Sequence, residues 1–215
     1  MASSTTSAQR IGIWIIVVAL SIGTLASFAA IIFSNQNQAT DETSLNDAYA
    51  DYQSDLQKQA NELSGVYYEE FNGYASRVGT FDKASVTELK TEDLKVGDGA
   101  EVTTDSSYAA YYIGWNPEGK IFDQSIADGK LKNPLDVTPS TSLISGWTTG
   151  MQGMKIGGVR EITIPSDLAY GESGQGEDIP ANTPLKFIVM AVPTPEEVPV
   201  PKVLQDYYNS LNQQQ

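Results

Sequence analysis

Hydrophobic and polar positions change rhythm several times along this chain. From Ile11 to Phe33, IGIWIIVVALSIGTLASFAAIIF runs 23 residues without a charged side chain. At about 1.5 Å per residue, a helix of that length covers the roughly 30 Å hydrocarbon core of a bilayer. The segment is therefore expected to span a membrane. A cleaved signal peptide is the competing reading, supported by the small residues Ala26, Ser27, Ala29 and Ala30. The run is longer than the apolar core of about 7–15 residues usual in such signals, which favours the uncleaved anchor. Arg10 precedes the span, and Asp41 and Glu42 follow it. The positive-inside tendency then places residues 1–10 in the cytoplasm and the chain beyond residue 33 outside it.

After a polar spacer the period becomes helical. In SLNDAYADYQSDLQKQANELSG, residues Leu45, Tyr49, Tyr52, Leu56 and Leu63 recur on one helical face. Ser44 with Asp47 resembles a capping box and Gly65 a stop. The spacing predicts an amphipathic helix, a stalk or dimerising seam in one reading and a helix packed on its own domain in the favoured one. VYYEEFNGYASRVG, from Val66 to Gly79, predicts a second short helix, which completes a spacer and stalk over 34–80. From Phe81 to Pro195 the pattern shifts to short alternating runs broken by glycine. SVTELK, EVTTDSSYAAYYIGW, VREITI and LKFIVMAV are strand candidates, with GDG, NPEG and ADGK as turns. Between them, SLISGWTTGMQGMKIGG has Leu143, Ile144, Trp147, Met151 and Met154 at helical spacing, enough for one short helix. The predicted class is α+β: an antiparallel sheet wrapped on a single helix over 81–195. A Pro-rich linker and polar tail occupy 196–215, with a weak helix over Lys202 to Leu211.

Composition narrows the chemistry. The chain has no cysteine and no histidine, so it lacks disulfides, thiolate nucleophiles, cysteine zinc sites, and the commonest general base and metal ligand. No metal site and no cofactor is expected. Thirteen basic residues against 27 acidic ones give a net charge of −14, which repels nucleic acid and anionic membrane surfaces.

The stretch IPSDLAYGESGQGEDIPANTPLKFIV sets a Tyr-Gly pair and an Ile-Pro pair on either side of a Gly-rich loop. Together with AYYIGWNPEGKIFDQS and LISGWTTGMQGMKIGGVREIT, it resembles the FKBP-type peptidyl-prolyl cis-trans isomerases, the immunophilin family. Four motifs keep the family's order and spacing over about 100 residues, roughly Val86 to Val192. The resemblance implies a half-barrel of antiparallel strands curled on one short helix, with an apolar pocket between them.

It also implies site residues. Tyr112, Phe122, Asp123 and Tyr170 would form the catalytic set, with Asp123 at the rim and the Tyr170 hydroxyl presented to a peptide carbonyl. Leu143, Ile144, Trp147 as the floor, Ile179 and Phe187 would line the substrate pocket. The sequence departs from the family in NPLDV, where Leu135 or Val137 offers an aliphatic wall in place of an aromatic one. It departs again at Glu177 and Asp178, where an apolar residue is common, so acidic peptides should be disfavoured. The implied activity is isomerisation of X-Pro bonds in newly folding exported proteins, with proline-containing polypeptides as partners and macrolide immunophilin ligands as a further ligand class. A membrane-anchored chaperone or peptide-binding scaffold with little turnover is the alternative. A third reading makes the acidic N-terminal helices the active part and the β domain a dimer platform.

Overall fold

The structure, a computed structural model, describes residues 39–212. The span expected at Ile11–Phe33 lies outside the described residues, among which no helix is long and apolar enough to cross a membrane. Helix α1 (Ala39–Gly73) leads through a 3-10 turn at Tyr74–Arg77 into the sheet. The strands are β1 (Lys90–Lys95), β2 (Tyr108–Trp115), β3 (Ile121–Gln124), β4 (Ile126–Ala127), β5 (Lys130–Leu131), β6 (Leu135–Val137), β7 (Val159–Ile164) and β8 (Leu185–Val192). Helix α2 (Ser145–Met151) sits between β6 and β7, and α3 (Lys202–Asn212) closes the chain.

The large sheet runs β1-β7-β8-β2-β3, with β6 pairing the first half of β2, and all its pairs are antiparallel. Short β4 and β5 form a separate hairpin. Asp128 and Gly129, both at positive φ, make its two-residue turn, the conformation that fits the strand twist. Helix α2 lies on the front face of the sheet. There Trp147, Met151 and Met154 meet Tyr108 and Ala110 of β2, Ile162 and Ile164 of β7, and Leu185, Phe187, Val189 and Ala191 of β8. The expected sheet around one short helix is present.

Several local expectations need correction. Gly65 does not end the first helix, and residues 66–73 continue it without a break. An interior glycine costs about 1 kcal/mol relative to alanine. The burial of Ser64 and Phe71 on either side of it outweighs that local preference. Nothing lies within 4 Å of where a Gly65 side chain would begin, so the residue is tolerated rather than required. Ser44 and Asp47 fall inside the helix instead of capping it, because the helix already begins at Ala39. SVTELK reaches the sheet only at Lys90. Just before it, the Asp82 carboxylate accepts from Ala84 N (2.9 Å) and Ser85 Oγ donates to the Asp82 carbonyl (2.7 Å), which favours a 3-10 turn. Similarly, Thr103 N donates to Ser106 Oγ (2.9 Å) and breaks the long candidate, so β2 starts at Tyr108.

The strands also do not alternate. The back face of the sheet is as apolar as the front: Ala109, Tyr111, Ile113, Trp115, Val159, Ile188, Met190 and Val192 form a second core with Phe71 of α1. Tyr67 and Tyr68 of α1 pack against it. A sheet covered on both faces needs continuous apolar runs, and YAAYYIGW and FIVMAV are such runs. Helix α1 thus packs on its own domain, the favoured of its two readings. Helix α3 in turn packs on α1, burying Leu204, and Gln59 Nε2 donates to the Glu196 carbonyl (2.6 Å).

Inside the back core, Tyr111 is fully buried and its hydroxyl has no hydrogen-bond partner. Burial, and secondarily Tyr67, push its ionisation well above the ordinary tyrosine range. An orphaned buried polar group costs about 1–3 kcal/mol. Tyr111→Phe is therefore expected to raise unfolding stability by about 1 kcal/mol, read from the denaturant midpoint at unchanged slope. A loss of stability would mean that the hydroxyl is engaged in solution.

Candidate functional site

Strands β2, β3 and β8, helix α2 and the loop after β7 converge at one end of the front face. The pleat of β2 turns Tyr112 and Gly114 to the front, while Tyr111, Ile113 and Trp115 face α1. Tyr112 Oη donates to Asp123 Oδ2 at 2.5 Å, and Gln124 N donates to Asp123 Oδ1 at 2.8 Å. The carboxylate is thus held at the rim with both oxygens engaged. Burial first, and the adjacent Asp123 second, raise the Tyr112 ionisation well above its ordinary value, so the phenol stays protonated and donating.

Three edge-to-face ring contacts build the apolar floor. Trp147 meets Phe187 at 5.2 Å between centroids and Tyr112 at 5.5 Å, and Phe122 meets Phe187 at 5.5 Å. Such contacts add about 0.5–1.5 kcal/mol each to simple burial. Trp147 is 3% exposed, and its Nε1 reaches Tyr108 Oη at 3.4 Å. Trp147 occupies the first turns of α2 because the backbone of Ile144 starts that helix, its carbonyl accepting from Trp147 N (3.0 Å).

Tyr170 packs on the same cluster near Tyr112 and Asp123, between 3-10 turns at Ser166–Leu168 and Gly171–Ser173. Desolvation, and then the Asp123 charge, push its ionisation up to about 12. Among the described residues its hydroxyl donates to no protein group. It is half-buried and protonated, and it remains available to an incoming acceptor.

All the sequence-predicted residues fall in or against one cluster. Ile144, Trp147, Ile179 and Phe187 are buried in it, and Tyr112, Phe122, Leu135, Leu143 and Tyr170 pack on it partly exposed. Asp123 joins through Tyr112. Val137 is buried deeper, paired with Tyr108, while Leu135 pairs with Ala110 nearer the surface. Three contributors were not singled out from sequence. Tyr108 holds the Trp147 indole, and Ser125 Oγ accepts from Tyr112 N (2.9 Å). Gly114 admits the rings: a Cβ there would meet Phe187 at 2.6 Å and Phe122 at 2.7 Å. An isolated glycine inside the apolar run YYIGW was the available signal for such a close approach.

Among the described residues no cluster of acidic side chains could hold a metal ion. With no histidine or cysteine in the chain, the site offers apolar enclosure, two tyrosine hydroxyls and one carboxylate. Those groups suit a reaction that moves charge within an amide without breaking a bond.

The part of the chain that holds this cluster is similar to known proteins. A profile of the FKBP-type peptidyl-prolyl cis-trans isomerase family matches residues 89–192. The FK506-binding protein of Neisseria meningitidis serogroup B is 39% identical over 102 residues, which cover 47% of this chain and 91% of the relative. FK506-binding protein 4 of Rhizopus delemar is 40% identical over 101 residues, 47% of this chain, and the chain spans 26% of that relative's length. A solved peptidyl-prolyl cis-trans isomerase from Pseudomonas syringae pv. tomato aligns over 63% of this chain and 92% of its own, at 29% identity and a TM-score of 0.43. On the strength of a relative matched along nearly its whole length, this chain belongs to the FKBP-type peptidyl-prolyl cis-trans isomerase family.

Proposed function

We propose that the protein isomerises X-Pro bonds in exported, newly folding polypeptides from an anchor at Ile11–Phe33, with its site outside the cytoplasm. The observation that carries the catalytic reading is the pairing of a buried aromatic floor, Trp147 and Phe187, with an uncommitted hydroxyl on Tyr170. The planar amide is resonance-stabilised, and rotation about it crosses a barrier of about 18–20 kcal/mol. Planarity also makes it more dipolar than the twisted state. Moving it from water into an apolar pocket therefore weakens the planar form more than the twisted one. Tyr170 would donate to the substrate carbonyl, while Asp123 keeps Tyr112 turned along the wall. Each tenfold acceleration needs about 1.4 kcal/mol of such differential stabilisation.

The anchor and location readings are supported by the uncharged run at 11–33 and by Arg10 before it. A membrane-impermeant proline peptide, assayed by protease-coupled isomerisation, tests site and side together. Sealed right-side-out membranes should accelerate it, and inside-out ones should do so only after detergent. The reverse pattern would overturn the orientation, and binding without acceleration in detergent would favour the scaffold reading.

A sharper test addresses the hydroxyl. Tyr170→Phe keeps the ring and removes a hydrogen bond worth about 0.5–1.5 kcal/mol, so kcat/KM should fall several-fold with little change in melting temperature. Unchanged turnover with a marked fall in melting temperature would make the hydroxyl a structural tie.

A further inference from the structure

Asn116 stands at the tip of β2, in the turn NPEGK that leads into β3. Polar turn side chains are normally solvated, yet this one is 5% exposed and both ends of its amide are engaged. Its Oδ1 accepts from Lys120 N (3.0 Å), which closes the turn. Its Nδ2 crosses to the loop after β7 and donates to the Asp178 carbonyl (3.0 Å). The Lys120 ammonium follows the same path and pairs with the Asp178 carboxylate.

Asp178 immediately precedes Ile179, which is 3% exposed within the front-face cluster. On its other side, the Ile179 carbonyl accepts from Gln175 N (2.7 Å). The same loop begins at Tyr170, whose carbonyl accepts from Gly174 N (3.2 Å). The loop is thus folded on itself between Tyr170 and Ile179, and its Ile179 end is tied to the β2–β3 turn through Asn116. That turn runs straight into Phe122 and Asp123. One amide therefore connects the turn that leads into Phe122 and Asp123 with the loop that carries Tyr170 and Ile179.

We propose that Asn116 is a positioning residue for peptide binding: it holds the Tyr170–Ile179 loop in its binding-competent place against the β3 side of the pocket. This deepens the isomerase reading and rests on it. Asn116 is not among the pocket-lining residues and acts through Asp178 and Ile179. If the tie is lost, the loop spends part of its time displaced, and apparent affinity falls by the fraction of time spent competent. The chemistry of the bound peptide is unaltered once the loop has closed. The expected signature is a rise in KM with kcat preserved.

Two variants of the full chain test this. Asn116→Ala removes both bonds. Asn116→Asp keeps the acceptor for Lys120 N and loses the donor to Asp178, so it separates the loop tie from the turn itself. Both should raise KM about five- to tenfold, with kcat changed less than twofold, as expected when the competent loop is only about a tenth to a fifth populated. Hydrogen exchange supplies a second readout that needs no catalysis. Exchange at Gln175 N–H should speed up about fivefold or more in both variants while the β8 amides stay as protected as before. Wild-type KM in both variants, or a fall in kcat at constant KM, would overturn the proposal. Unchanged exchange at Gln175 would also overturn it, whatever the activity. Absence of isomerisation by the wild-type chain, with Gln175 exchange still accelerated in the variants, would instead defeat the isomerase reading and leave the loop tie standing.

Discussion

Phe71→Ala is expected to lower unfolding stability by about 3–5 kcal/mol, the range for deleting a fully buried aromatic side chain. Phe71 is 0% exposed in the last turn of α1, with its ring centroid 6.3 Å from that of Tyr111. It is the α1 side chain buried deepest in the back-face core, and Tyr67 and Tyr68 pack beside it only partly buried. Two polar ties reinforce the same junction. Leu131 N donates to the buried Ser64 Oγ (2.9 Å), and Arg77 Nε, just past the helix, donates to Glu161 Oε2 (2.7 Å). Those ties are modest by comparison, because each net hydrogen bond contributes about 0.5–1.5 kcal/mol. Denaturant titration gives the magnitude. Limited proteolysis gives the location, since α1 should become the first region cleaved. A loss below about 1 kcal/mol would mean that the site collapses around the void and that the sheet does not depend on this helix.

Gly114→Ala should abolish most activity at a cost in stability of about 1–3 kcal/mol, the usual penalty of overpacking. Gly114 lies between Asp123 on β3 and Phe187 on β8, so the two ladders prevent the backbone from retreating. The added methyl would come within 2.6 Å of Phe187 Cε1 and within 2.7–2.9 Å of Phe122 Cζ and Cε2. Both rings must swing aside, and both belong to the proposed site. Displacing Phe187 also disturbs its contact with Trp147. A loss of only 1.4 kcal/mol in transition-state stabilisation is already tenfold in rate, so kcat/KM should fall by more than that factor. An alanine variant with wild-type kcat/KM would show that the rings have room to yield and that their placement is not critical.

The largest effects thus fall at positions of different legibility. Strands β7 and β8 and helix α2 could be read locally, because β-branched and aromatic runs, turn glycines and helical spacing all act within a few residues. The residues named for the site were legible through the order of the motifs that carry them, and Tyr112, Phe122, Trp147, Tyr170 and Phe187 fall in or against one apolar cluster. Their hydroxyls, rings and spacing are properties of the chain itself.

Other features depended on partners far away in sequence. Helix α1 runs through Gly65 because Phe71 finds the back of the sheet and Ser64 the β4–β5 hairpin, and a local propensity of about 1 kcal/mol cannot outweigh that burial. The strand candidate at 85–90 shifted to Lys90–Lys95 because its ladder with Thr163 begins only at Lys90. Asn116 looked like a turn residue, as it is, and its second bond exists only because Asp178, 62 residues later, returns to the same end of the sheet. The sequence by itself determined the elements that speak in a local period and the chemistry available to the site. Only the tertiary structure decided which face α1 covers and which loop Asn116 holds, since a contact between distant residues has no period to read.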